Sequence, residues 1–412
     1  MKKDFSKAVG KLTISIALGL CISQYSSAKL SELQDKELNQ ITGQSLFSMS
    51  YIAPTEPGNT SNLGFYTLGM EAKLELNANI RRVQLGCGGV NGANQCDIDL
   101  ERVRLTGLTP GPSGTYADSD AVLDNPFIQF AVKNPNSAST RSIVGVALGA
   151  QTIVGQMSVG ENPTPDIAGT PGGTPGGETG ANVISGRLPA QVSHVELAST
   201  LCTRVSGSNC IVALGDGNLP LLNTTVKPRN GVNQPNGVFS ALVAGNRMTN
   251  LKLGPFGLDA APLDSIGGVF VSALGGVAYG TLDENFIDIH NLNISSNKTS
   301  GFLLTLNQQD ILWPQMGSSG VSSFPTPSQF TNSNGSTITE DMLLAKRGWF
   351  LIFPGVSLGG TPEEPLVTSR VLLGVLNNPS ALQVLSYPGI TIPSINLRQV
   401  PTHNCYGNLK FC

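Results

Sequence analysis

From Phe65 onward, apolar and polar positions alternate with a period of two over long stretches. Ala72, Leu74, Leu76, Ala78 and Ile80 alternate with Glu71, Lys73, Glu75, Asn77 and Asn79. This predicts one long strand with a single wet face, because successive strand side chains point to opposite sides. Ile98 and Leu100 alternate in the same way with Asp97, Asp99 and Glu101. Between the two runs, Asn91-Gly92 is a hairpin signal, since that pair tolerates the positive φ angles of a tight turn. Further strands are predicted over Pro126–Val132 and Ile143–Val159, joined by the turn-rich 134–142. Trp349 to Phe353 are apolar in succession, which predicts a strand buried on both faces. Ile390, Ile392 and Ile395 predict a late strand, and Pro393 suits an edge position or a strand end. The residues from Leu397 to the C-terminal Cys412 are expected to dock on the body.

The pattern is helical only near the start. Residues 29–45 predict a short helix: Ser31 and Gln34 suit a capping box, and Gly43 suits a left-handed stop. Before it, Lys2, Lys3, Lys7 and Lys11 lead into the apolar run Leu12–Ile22 and then Ser26-Ser27-Ala28. Residues 1–28 therefore read as an export signal, too short in its apolar part to span a membrane as a helix. The fold class expected is all-β, with antiparallel sheets, sandwich-like or solenoid-like, in two β-rich lobes. One lobe covers residues 46–160 and the other 182–412. Between them, residues 161–181 carry Thr-Pro-Gly-Gly twice, at Thr170 and Thr174, a composition that suits an exposed loop or linker.

Composition narrows the class. The chain has 48 Gly and 26 Pro among 412 residues, and only 13% of it is charged. Turns should be frequent and helices few. Removing residues 1–28 leaves 21 basic and 27 acidic residues, so no basic field is available for nucleic acid. Six cysteines remain, Cys87, Cys96, Cys202, Cys210, Cys405 and Cys412. They form three close pairs around turn-forming segments, and an exported chain favours local disulfides over a metal or redox site. The six permit other connectivities in principle.

Catalytic constellations are not found. The sequence has no G-x-x-x-x-G-K-[ST], H-E-x-x-H or C-x-x-C, and its three histidines, His194, His290 and His403, are far apart. Three acidic groups need weighing as Ca²⁺ ligands or paired carboxylates. They are Asp97, Asp99 and Glu101 on one predicted strand face, Asp283, Glu284 and Asp288, and Asp118 with Asp120 beside Tyr116. None has EF-hand spacing, and a solvated face explains each more simply. No catalytic, cofactor-binding or metal residues are assigned.

Leu30-Ser31 through Thr42-Gly43-Gln44-Ser45-Leu46-Phe47 resembles the post-signal motif of a family of exported Gram-negative proteins. The blocks from Gly64 to Asp99, from Asn125 to Pro135 and from Ser142 to Gly149 continue the likeness. So does the ending, Pro388 to Pro393 and Asn404 to Cys412. Together they are similar to the FilA-type component of the Fil pilus system. That resemblance implies a surface or pilus-associated role and carries over no catalytic residue. The expectation is a non-enzymatic, exported structural or adhesive protein at the cell surface or in an extracellular appendage, with outer-membrane association as a variant, working with other pilus or surface-assembly proteins or with itself. The second expectation is a secreted carbohydrate-active or carbohydrate-binding β protein.

Overall fold

The structure is a computed structural model that describes residues 47–88, 91–92, 95–108, 119–161, 179–202, 204–206, 209–211, 222–228, 237–260, 278–295, 301–316, 322–359, 366–367, 371–374, 390–395, 397, 399 and 401. The expected export signal and the helix over 29–45 lie outside them. Among the described residues no helix is long and apolar enough to cross a membrane, and the chain is built of strands.

In the N-terminal part these are β1 (Phe47–Ile52), β2 (Gly64–Met70), β3 (Lys73–Leu76), β4 (Ala78–Leu85), β5 (Ile98–Thr106), β6 (Ala121–Lys133) and β7 (Ser142–Ser158). After residue 179 come β8 (Ala181–Val192), β9 (Val195–Cys202), β10 (Arg204–Ser206), β11 (Asn209–Ile211), β12 (Leu222–Pro228), β13 (Phe239–Met248), β14 (Asn250–Ala260) and β15 (Ala278–Asn285). Then follow β16 (Asn291–Ser295), β17 (Phe302–Asn307), β18 (Gln315–Met316), β19 (Ser322–Ser323), β20 (Gly348–Ile352) and β21 (Val356–Ser357). The last three are β22 (Leu366–Val367), β23 (Val371–Gly374) and β24 (Ile390–Ile395).

All-β is thus the observed class, but the sheets are mixed rather than purely antiparallel. β20 and β21 run parallel to β8, β22 and β23 parallel to β9, and β24 parallel to β15. The reason is topological: late, short segments return across the body to strands laid down earlier, and such crossovers make parallel pairs. The single strand expected over Ala72–Ile80 divides into β3, on β6, and β4, on β5.

Among the described residues thirteen strands share the main sheet. Its pairings close a circuit: β7 pairs with β16, β16 with β21, β21 with β8, β8 with β5, and β5 with β7. The boundary expected at 161–181 therefore falls between two strands of one sheet. Glu161 and Thr179 bridge each other antiparallel, so the Thr-Pro-Gly-Gly tract leaves and re-enters at one place; its interior lies outside the described residues.

Two apolar clusters fill the body. One gathers Ile98, Ile184, Leu188, Phe239, Leu282, Phe286 and Phe353. The other gathers Phe65, Phe127, Ala131, Ala147, Leu303, Trp313, Phe324 and Phe350 on the inner face of β2, β6, β7 and β17. Each fully buried large side chain stabilises by roughly 1.5–3 kcal/mol relative to exposure. Trp313 reaches this face because β7 carries glycine there: a Cβ at Gly145 would meet Trp313 at 2.8 Å and Ile311 at 2.6 Å. The Trp349–Phe353 run is buried at Phe350, Leu351, Ile352 and Phe353, as its unbroken apolar pattern predicts. Among the described residues a second sheet of seven strands has β24 at one edge, one of the two placements that Pro393 suits. Beyond it Leu397 is fully buried, and Gln399 accepts the His290 and Asn291 N–H groups at 3.0 and 2.8 Å. Residues 402–412 lie outside the described residues.

Candidate functional site: an apolar sheet face and a neutral cleft

The sheet β1-β2-β6-β7-β17 is apolar on both faces. Its register aligns two outward rows. One runs Met49, Leu68, Ile128, Leu148, Leu304, and the other Tyr51, Tyr66, Phe130, Val146, Leu306. Phe47 pairs with Met70 just beyond. Met49 is 85% exposed and Leu148 46%; Phe47, Tyr51, Tyr66, Leu68, Met70, Ile128 and Leu306 are exposed as well. The Tyr51 and Tyr66 rings stack tilted, with centroids 4.6 Å apart. β1, β2, β7 and β17 contain no charged residue, and β6 has charges only at Asp124 and Lys133. Four interstrand gaps and about five residues of strand make a patch roughly 20 Å by 16 Å. Contiguous exposed apolar surfaces of that size mark sites of protein or membrane contact. β1 ends the sheet on this side, with neither Lys nor Pro to discourage pairing.

Inside the same sheet the buried polar residues bond to one another, although Gln129 Oε1 has no partner among the described residues. Gln129 Nε2 donates to Thr67 Oγ1 at 2.7 Å, Asn307 Nδ2 to Thr305 Oγ1 at 2.8 Å, and Trp313 Nε1 to Asn307 Oδ1 at 2.9 Å. The inward polar row is structural.

A cleft of about 310 Å³ opens elsewhere, between β8, β13, β16, β21 and the loop at 329–331. None of its 15 lining residues is charged. Gln191, Asn293, Gln315 and Gln329 supply amides, Ser240 a hydroxyl and Phe330 a ring. Behind Phe330 lies Arg187, 1% exposed, with its guanidinium carbon 5.5 Å from the ring centroid. Arg187 Nη1 donates to Leu343 O at 2.6 Å, while its Nε and Nη2 have no hydrogen-bond partner among the described residues. Burial pushes this guanidinium down to about 10, still charged at neutral pH. The lining has no carboxylate, and Thr331 and Ser357 add two further hydroxyls.

The acidic residues weighed in the sequence separate. Asp97 does not share the face of Asp99 and Glu101, because it precedes β5 and turns inward. Its carboxylate accepts Asn91 Nδ2 at 2.6 Å and the Trp349 N–H at 3.0 Å. Asp99 is held by Arg82 through Nε at 3.0 Å and Nη2 at 2.9 Å, which keeps its carboxyl below the usual range. Glu101 lies 3.6 Å from the same guanidinium. Asp283 accepts Asn250 Nδ2 at 2.9 Å, buried Glu284 accepts the Leu397 N–H, and Asp288 lies 3.4 Å from Asn285 Nδ2. Asp118 and Tyr116 lie outside the described residues. Among the described residues no three His, Cys, Asp or Glu side chains come together as metal ligands.

Of the cysteines, Cys87 and Cys96 are bridged, with an S–S distance of 2.02 Å, across the β4–β5 hairpin. β9 ends at Cys202 and Cys210 lies in β11. Their side chains, and Cys405 and Cys412 entirely, lie outside the described residues.

Neither the outward apolar rows nor the cleft is evident in the sequence. The sequence predicts a strand over Ile143–Val159, uncharged throughout, but not which of its faces is covered. In comparisons with known proteins, no family model, no curated protein and no solved structure matches the chain.

Proposed function

We propose that this is a non-enzymatic, exported structural or adhesive protein of a cell-surface appendage, of the kind the Fil pilus resemblance implies. Its work is contact. The observation that carries the reading is the pair of exposed apolar rows across β1, β2, β6, β7 and β17. Left in water, such a face is costly; packed against a neighbouring subunit, it supplies binding free energy. The occupant proposed is a second copy of this chain, because the two rows carry no charge to select a charged partner and one apolar sheet face can stack on another like it at about 10 Å. A repeated assembly makes such modest contacts sufficient, since each added subunit raises the effective concentration for the next.

Immunogold labelling of intact producing cells and of sheared surface material tests the location. Labelling on the surface and recovery in the sheared fraction are expected. Antigen confined to the periplasm would overturn the surface assignment.

A further inference from the structure

We propose that the cleft between β8, β13, β16, β21 and the 329–331 loop binds an uncharged saccharide, of monosaccharide or disaccharide size. This goes beyond the contact role above and does not depend on it.

Gln315 is the first reason. It is 4% exposed, lines the cleft, and its Nε2 has no hydrogen-bond partner among the described residues. A buried donor left unmet costs about 1–3 kcal/mol, which a ligand oxygen would recover. Two of the other amides are held in place by the protein. Asn293 Oδ1 accepts Nε2 of buried Gln156 at 3.0 Å, and Gln329 Oε1 accepts the Thr326 N–H at 3.0 Å. Such fixed groups lower the ordering cost of binding.

The class of ligand follows from the lining. With no charged residue in the wall, an ionic ligand would lose hydration without a charged group to touch. Amides both donate and accept, as do sugar hydroxyls, so a neutral polyol satisfies them in either sense. Phe330 adds an apolar ring for the C–H face of a pyranose, supported from behind by Arg187. An added peptide strand is disfavoured here. β8 already pairs with β13 and β21, β21 with β16 and β8, and the other edge of β13 is taken at Ser240 and Leu242 by Ser333 and Asn332. A volume of 310 Å³ is at the lower end for small-molecule sites.

The test uses the purified mature protein, with saturation-transfer NMR and calorimetry. The probes are N-acetylglucosamine, galactose, mannose, lactose and chitobiose, with N-acetylneuraminic acid, glucuronic acid and tetraglycine as controls. At least one neutral sugar should bind, and the controls should not. Gln315→Leu should weaken that binding by about tenfold or more. Its melting temperature should hold or rise, because an unmet buried amide is removed. Phe330→Ala, at a half-buried position, should weaken binding independently and decides the matter if Gln315→Leu fails to fold. Absence of binding by every neutral sugar would overturn the proposal. So would equal binding of the acidic sugars or tetraglycine, or binding retained in both variants.

Discussion

Replacing Asp97 with Ala should destabilise the protein by about 3 kcal/mol, although Asp97 touches no candidate site. The carboxylate is 6% exposed and joins the β4–β5 hairpin to β20. Asn91 Nδ2 and the Trp349 N–H donate to it, across a sequence separation of 252 in the second case. Hydrogen bonds to a charged group contribute roughly 1.5–3 kcal/mol each. Two such bonds, less the desolvation cost relieved on removing the carboxylate, give the figure. The surroundings are shaped to admit this group. Gly86 and Gly348 have φ of +69° and +101°, and a Cβ at either would collide with the Asp97 carboxylate. Asp97→Asn should cost less, about 1–2 kcal/mol. The Asn91 amide can rotate to suit an amide partner, at the expense of its 3.2 Å bond to Gly86 O, whereas the Trp349 N–H cannot. Urea unfolding followed by tryptophan fluorescence measures both variants. A loss below about 1 kcal/mol for Asp97→Ala, smaller than either bond alone should contribute, would refute the reasoning.

Three further outcomes are expected. Leu148→Lys, in the middle of the exposed rows, should leave the melting curve within about 0.5 kcal/mol of the parent yet weaken self-association by at least about tenfold in sedimentation velocity, since a lone charge would be buried in the contact. A parent protein that stays monomeric at every concentration, or a variant that associates equally, would refute the face as a self-contact. Cys87→Ser with Cys96→Ser should lose roughly 2–3 kcal/mol in chemical unfolding, the chain-entropy value for so short a loop, and unchanged stability would show that the hairpin needs no bridge. Asp99 has its folded pKa depressed by the Arg82 hydrogen bonds, so its contribution is present above the ordinary carboxylate value of 3.8 and is lost as pH falls through the lower folded value. Asp99→Asn should therefore flatten that acid limb of the stability profile while leaving its slope near neutrality unchanged.

Alternation along the chain was enough to identify β6 and β7, the β4–β5 hairpin and the buried run ending at Phe353, because each depends on the side-chain period of a strand and on local turn chemistry. The Cys87–Cys96 bridge was legible for the same reason: its partners are nine positions apart and flank one turn. Tertiary structure decided the rest. The parallel pairing of β20 and β21 with β8 joins segments more than 150 positions apart, and no local pattern encodes which strand a returning segment meets. The cleft is likewise assembled from residues near 190, 240, 293, 315, 330 and 355. Asp97 alternates with Leu100 as a surface residue would, yet it is buried by a glycine at Gly348 that the sequence places far away. Above all, an uncharged strand such as β7 has two apolar faces on paper. Whether the second is covered depends on what packs over it, and here the outward rows are left in solvent. Periodicity is a property of one strand; exposure is a property of its neighbours.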